Sequence, residues 1–271
     1  MHWTSGHDHA RAKVCYTSGH ILEYPMTACP RFARPALAAA LLALAPLCAL
    51  ATTTLYDPAL GSLPSAQGWL PLVDGAAASQ GLVGGVYALE TTGAGVLKWG
   101  NSRSSPLALD TQTGFDLSFS LQLLSESHTS PNRAGYSLVL VGAKANRALA
   151  LDFWADHLWA QKYDASQPDR FVHDIGVAFN TSAALTPFTL AVRQQQFTLS
   201  AGGTALLSGA LRDYTPGGLP YTVPNFVFLG DNSARGSAIS RLGVVSLSPV
   251  PEPAAACLLA LGLAGLALRR R

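Results

Sequence analysis

An all-β fold, an antiparallel sandwich of two sheets, is predicted for the body of this chain by three observations. From Phe115 to Leu123 the apolar residues Phe115, Leu117, Phe119, Leu121 and Leu123 alternate with Asp116, Ser118, Ser120 and Gln122. Successive strand residues point to opposite faces, so this period of two marks a half-buried strand. Similar short runs recur from Leu55 to Leu247, broken by Gly and Pro. No segment among them carries apolar residues at a convincing helical spacing. A single strand face cannot bury its own apolar row, so two sheets must pack on each other.

The elements follow in order. Leu55-Tyr56-Asp57 leads into a turn-rich opening, Leu60–Pro64, and then Gln67-Gly68-Trp69. Gly84-Gly85 opens a strand at Val86–Leu89, and Val96-Leu97-Lys98-Trp99 follows another glycine pair. After the long Phe115 strand, Tyr136–Val141 is apolar on both faces. Leu149–Trp154 and Leu158–Tyr163 flank Ala155-Asp156-His157, the expected hairpin loop, and Phe171–Phe179 alternates imperfectly. Phe188–Arg193 and Gln196–Ser200 surround Gln194-Gln195, and Gly202-Gly203 turns the chain into Thr204–Ser208. Phe226–Leu229 and Leu242–Leu247 close the domain. About ten strands over roughly 200 residues exceed one immunoglobulin-type module and suit a larger jelly roll.

Charge and cysteine usage narrow the function classes. The 271-residue chain carries a formal charge of +2, but residues 52–249 hold 11 Lys and Arg against 13 Asp and Glu, a net −2. No basic field recruits nucleic acid, and that class is excluded. Cys15, Cys29, Cys48 and Cys257 all lie outside this body. It therefore offers no thiol nucleophile and no zinc–thiolate site. The glycines from Gly81 to Gly85 precede a strand and no helix, so they are no phosphate loop. No cofactor and no metal site are expected. Asp231-Asn232 falls far short of the six oxygens calcium takes, and an Asx turn explains the pair as well.

The two ends carry addresses. Val250-Pro251-Glu252-Pro253 precedes fifteen uncharged residues, Ala254–Leu268, and the chain closes on Arg269, Arg270 and Arg271. As a helix the apolar run spans about 22 Å, short of the ~30 Å hydrocarbon core. The tripeptide, apolar helix and basic end resemble the PEP-CTERM sorting signal of Gram-negative bacteria. That resemblance implies processing at the motif by exosortase, a membrane-embedded transpeptidase, with the helix holding the protein transiently in the membrane beforehand. It further implies export to the cell surface or extracellular polysaccharide. At the other end, Arg31 and Arg34 precede an Ala- and Leu-rich run from Pro35 to Leu50, followed by small residues at Ala49 and Ala51. This is the layout of a signal peptide, cleaved by signal peptidase after Ala51. Translation is expected to start at Met26, leaving 1–25 as a non-translated or disordered leader. The domain plan is leader 1–25, signal peptide 26–51, sandwich domain 52–249 and sorting tail 250–271.

Within the body, Phe188–Val192, Phe197–Gly203, Leu211–Tyr214 and Phe226–Asn232 resemble the later strands of concanavalin-like or laminin-G-like jelly rolls. Tyr56-Asp57, Leu63–Trp69, Ser125–His128, Asn132–Tyr136, Leu151–Trp154 and Leu158–Gln161 resemble a choice-of-anchor domain, type Y. The resemblance implies a bacterial surface domain and leaves its activity open.

Catalytic residues are not expected. Glucanases of this fold use a Glu-x-Asp-x-(x)-Glu strand, whereas the body holds only Glu90 and Glu126, far from any such pattern. No Gly-x-Ser-x-Gly elbow accompanies His128, His157 or His173, and these read as solvated loop histidines. Glu126, His128 and Arg133 bracket a polar loop and are expected to fix its shape by salt bridging rather than to rim a cleft. Binding residues are expected at Asp152 and Trp154 on one strand side, and at Trp159 and Gln161 on a side of the next. Indole faces stack on sugar rings and Asp and Gln bond hydroxyls; the alternative is that the tryptophans fill the sandwich core. The expected function is a non-enzymatic surface or matrix protein binding extracellular polysaccharide. A glycan-cleaving enzyme and a purely structural matrix component are the alternatives.

Overall fold

A computed structural model describes residues 51–250, apart from 105 and 106. The leader, the signal segment with Ala49, and the sorting tail from Pro251 to Arg271 lie outside the described residues. Fifteen strands are present among them: β1 (Thr53–Tyr56), β2 (Leu70–Gly75), β3 (Ser79–Val83), β4 (Val86–Glu90), β5 (Val96–Arg103), β6 (Phe115–His128), β7 (Ser137–Val141), β8 (Ala148–Phe153), β9 (His157–Tyr163), β10 (Phe171–Ala178), β11 (Thr186–Arg193), β12 (Gln196–Ala201), β13 (Thr204–Ala210), β14 (Phe226–Asp231) and β15 (Gly236–Pro249). Every named pairing is antiparallel. One sheet runs β13-β12-β11-β6-β15-β4-β3 with β1 added on β15, and the other runs β10-β9-β8-β7-β14-β5-β2. Among the described residues no helix is long and apolar enough to cross a membrane.

The all-β sandwich is as predicted, and β6 shows why. Its apolar positions Phe115, Leu117, Phe119, Leu121 and Leu123 are all at most 2 % exposed, whereas its alternate polar residues through Gln122 are half-buried. Strand β6 lies between β11 and β15, so its inward row meets Leu138, Leu140, Leu149, Leu151 and Phe153 from the facing sheet. Phe119 stacks on Phe188 at 5.4 Å, and Phe153 meets both edge-on. Burying each such ring stabilises the fold by roughly 1.5–3 kcal/mol.

The seven-stranded sheet is buried on much of its outer face as well. Val139, Val141, Ala148, Ala150, Phe226 and Phe228 form a second cluster there, roofed by Tyr214 and Tyr221 from the loop between β13 and β14. That loop is pinned where Ala148 bridges Arg212, and the Tyr214 hydroxyl donates to the Gln161 carbonyl at 2.5 Å. The roof covers only part of the face. Phe228 lies across Gly100, where an added Cβ would fall 2.3 Å from the ring.

Several strands differ from expectation for local reasons. Strand β15 begins at Gly236, well before Leu242, and bulges at Ile239/Ser240 and between Leu242 and Val245 break the alternation that would have marked its start. A bulge between His173 and Ile175 likewise causes the imperfect pattern of β10. Strands β2 and β3 occupy sheet ends and are largely exposed, so neither shows an alternating row. The β8–β9 connection is Trp154–Asp156, not Ala155–His157, so Trp154 leaves its strand and His157 opens the next.

Candidate functional site

The outer face of the seven-stranded sheet gathers polar side chains around Asp152. Its carboxylate is 2 % exposed on β8, and register places Ser137 beside it on β7 and Trp159 beside it on β9. Gln161 lies two residues further along β9, directly opposite His173 on β10. Ser137 Oγ donates to Asp152 Oδ1 at 2.8 Å, and Gln161 Nε2 donates to Oδ2 at 2.5 Å. His173 Nε2 is 3.0 Å from the same oxygen, and the carboxylate there acts as acceptor. A buried carboxylate is costly unless its oxygens are satisfied, and three donors satisfy this one. Ser137 donates to the carboxylate and to no imidazole, so the trio is not a nucleophile–base arrangement.

Two tryptophans and all three body histidines pack next to this network. Trp159 lies nearly parallel to His173, 4.7 Å away at 7°, and to His157, 5.4 Å away at 14°. His157 precedes it by two residues and His173 sits opposite Gln161, two residues after it, so imidazoles flank the indole from both directions along β9. Trp154 stacks on His128 at 4.0 Å and meets Trp159 edge-on at 5.6 Å. Gly176 makes room for Trp159, since an added Cβ would fall 2.2 Å from the ring. Trp154 is anchored through Nε1, which donates to the Arg133 carbonyl at 2.7 Å, while Thr181 Oγ1 donates to its carbonyl at 2.7 Å. Both tryptophans are half-buried and outside the sandwich core, which takes Trp69 and Trp99 instead.

A cleft of about 650 Å³ opens beside the network. Ser137, Asp152 and Gln161 line it, together with Phe171, Tyr221 and Phe226. Phe171 and Tyr221 stack on each other at 4.7 Å. The β6–β7 and β9–β10 loops are knitted into one wall. Arg133 Nη1 donates to the Phe171 carbonyl at 3.0 Å, Arg133 Nη2 donates to the Asp169 carbonyl, and Ser130 Oγ donates to Asp169 at 2.6 Å. Arg235 adds an ion pair to Asp169 at 2.6 Å.

Two further carboxyls are buried behind this region. Burial pushes Asp231 up to about 8, with the charges of Asp152 and Glu126 raising it further. Asp231 Oδ1 accepts from the Ser233 N–H at 2.9 Å, an Asx turn. Glu126 is also raised by burial, against the Gly135 N–H and His128 that favour its ionised form. Among the described residues no group of three or more His, Cys, Asp or Glu is arranged to hold a metal ion.

The structure brings Asp152, Gln161, Trp154 and Trp159 together on one face, though with different surroundings. Asp152 and Gln161 line the cleft; the tryptophans pack with imidazoles alongside it. The histidines correct the sequence reading, being stacked partners rather than solvated loop residues. Arg133 does more than shape its loop, since it also lines the cleft. Sequence reasoning missed Phe171, Tyr221 and Ser137, which reach the site from elements with no shared motif. The broken alternation around His173 was the one available signal.

Residues 249–271 match the PEP-CTERM protein-sorting motif. No curated protein matches the chain. Among solved structures, the carbohydrate esterase of Shiga toxin-encoding bacteriophage phi24B is similar at a TM-score of 0.53 and 16 % identity, covering 74 % of this chain and 100 % of that one. A protein of unknown function with a galectin-like fold from Bacillus subtilis follows at 0.47 and 10 % identity, covering 73 % of this chain and 96 % of the other. Alginate lyase A1-II' gives 0.42 at 14 % identity, covering 75 % and 96 %. At such identities the likeness is one of architecture and carries no chemistry across.

Proposed function

We propose that this is an exported, exosortase-processed protein of the cell surface or extracellular matrix, whose sandwich body binds polysaccharide without cleaving it. The sorting motif at 249–271 implies an exported, exosortase-sorted protein of a Gram-negative envelope. The observation that carries the binding reading is the cleft over the outer sheet face, with Asp152 and Gln161 on its floor and Phe171 and Tyr221 on its wall. Its volume lies within the range of about 300–1,000 Å³ common to small-molecule sites. A polar floor beside aromatic rings suits sugars, which present hydroxyls at their edges and C–H groups on their faces. The stacked tryptophans and histidines stiffen the β8–β9–β10 corner and so hold Gln161 and His173 in place.

The body's place in a choice-of-anchor family, type Y, and the cleavages after Ala51 and at Pro251-Glu252-Pro253 belong to the same proposal, as do a start at Met26 and domain limits at 52–249. The direct test is co-sedimentation of the full chain with insoluble and cross-linked polysaccharides, with released sugar measured in the same tubes. Retention on a matrix polymer without release supports the reading. Absence of retention on every polymer overturns it, and release of sugar converts it to an enzyme.

A further inference from the structure

We infer that the cleft selects an acidic glycan, one bearing carboxylates along its length such as a polyuronate; this rests on the binding reading above and adds the charge of the ligand. The body is net acidic, yet the cleft is not. Lys98, Arg133, Arg170 and Arg235 line it against only Asp152 and Asp169. Four of the 11 basic residues in 52–249 thus meet two of its 13 acidic ones.

The two acids are already matched. Asp152 is held by Ser137, Gln161 and His173, and Asp169 by Ser130 and Arg235. Arg133 spends its donors on the carbonyls of Asn132, Asp169 and Phe171, which position the guanidinium without neutralising it. Lys98 and Arg170 form no ion pair among the described residues, whose basic partners are Lys162, Arg193, Arg212, Arg235 and histidines. Behind the floor, burial pushes Asp231 up to about 8, which favours its uncharged form at neutral pH. A concave site with an excess of one sign of charge, between apolar walls, concentrates ligands of the opposite sign. Arginine forks match carboxylate geometry in particular. Neutral glycans would use the rings and the floor and leave these cations unused.

The test compares the full chain's affinity for polygalacturonate and hyaluronate with that for the methyl-esterified form of each, and for dextran, at low and physiological salt. Esterification keeps the backbone and removes the charge. The acid forms are expected to bind about ten-fold more tightly than their esters, with the advantage shrinking as salt rises. Lys98→Gln and Arg170→Gln are each expected to weaken binding of the acid form about two- to five-fold and so to narrow its advantage over the ester. Equal affinity for acid and ester, or preference for dextran, overturns the charge assignment and leaves the binding reading standing. Failure to bind any polymer overturns both.

Discussion

Asp152 and His173 meet through a 3.0 Å contact between Oδ2 and Nε2, with both side chains at most 7 % exposed. They come from strands β8 and β10, which do not pair; β9 lies between them and supplies Gln161 to the same oxygen. The contact therefore ties three strands together across the outer face, and it does so at the floor of the cleft.

Removing the carboxylate should cost stability as well as function. In Asp152→Ala, Ser137, Gln161 and His173 lose their shared acceptor, and the fold is expected to lose about 2–4 kcal/mol. For a domain of this size that lowers Tm by about 2–4 °C per kcal/mol. Asp152→Asn keeps the shape and one acceptor and is expected to lose about 1 kcal/mol. Thermal unfolding of both variants checks the ordering; equal loss would mean the network is not organised by its charge.

Gly176→Ala tests the packing of Trp159. The added Cβ would overlap the indole, and overpacking of this kind costs about 1–3 kcal/mol. Because the indole must shift away from His157 and His173, its fluorescence should change alongside Tm. An unaltered spectrum would contradict the stacked arrangement.

Asp231 predicts an unusual pH dependence. Its folded pKa of about 8 exceeds the ordinary aspartate value of 3.8, so between these values the folded state holds a proton that the unfolded state releases. This group's contribution is full below about pH 4 and is lost as pH rises through about 8. Asp231→Asn should flatten that slope and raise Tm at pH 8 relative to the parent. Chemical denaturation from pH 5 to pH 9 measures it; identical slopes would contradict the assignment.

The tail makes a separate prediction. Replacing Pro251, Glu252 and Pro253 with alanine should leave unprocessed protein in the membrane fraction of the native host. Intact-mass measurement of the surface-released protein reads the outcome, and normal processing of the variant would contradict the sorting assignment.

How far this was legible in the sequence depends on distance along the chain. The sandwich was readable from β6, whose inward row runs unbroken over nine residues from Phe115 to Leu123. Asp152 and Gln161 were readable as neighbours, because a three-residue connection fixes their hairpin. Trp154 was misplaced by one step: its backbone N–H closes the hairpin by donating to the His157 carbonyl, which ends the strand at Phe153. His173 was out of reach, since a bulge directly after it hides which face it shares. Tyr221 reaches the cleft from the loop between β13 and β14, and loops leave no period in a sequence.

The proposed ligand occupies the cleft beside Asp152. Ala234 is exposed on its rim, so Ala234→Trp can fill the mouth without touching the core. Equilibrium titration of the full-length parent and variant with the polysaccharide retained by the parent is the decisive measurement. Unchanged Tm and at least about ten-fold weaker binding are expected in the variant. Equal affinity in the two proteins would place the binding surface elsewhere.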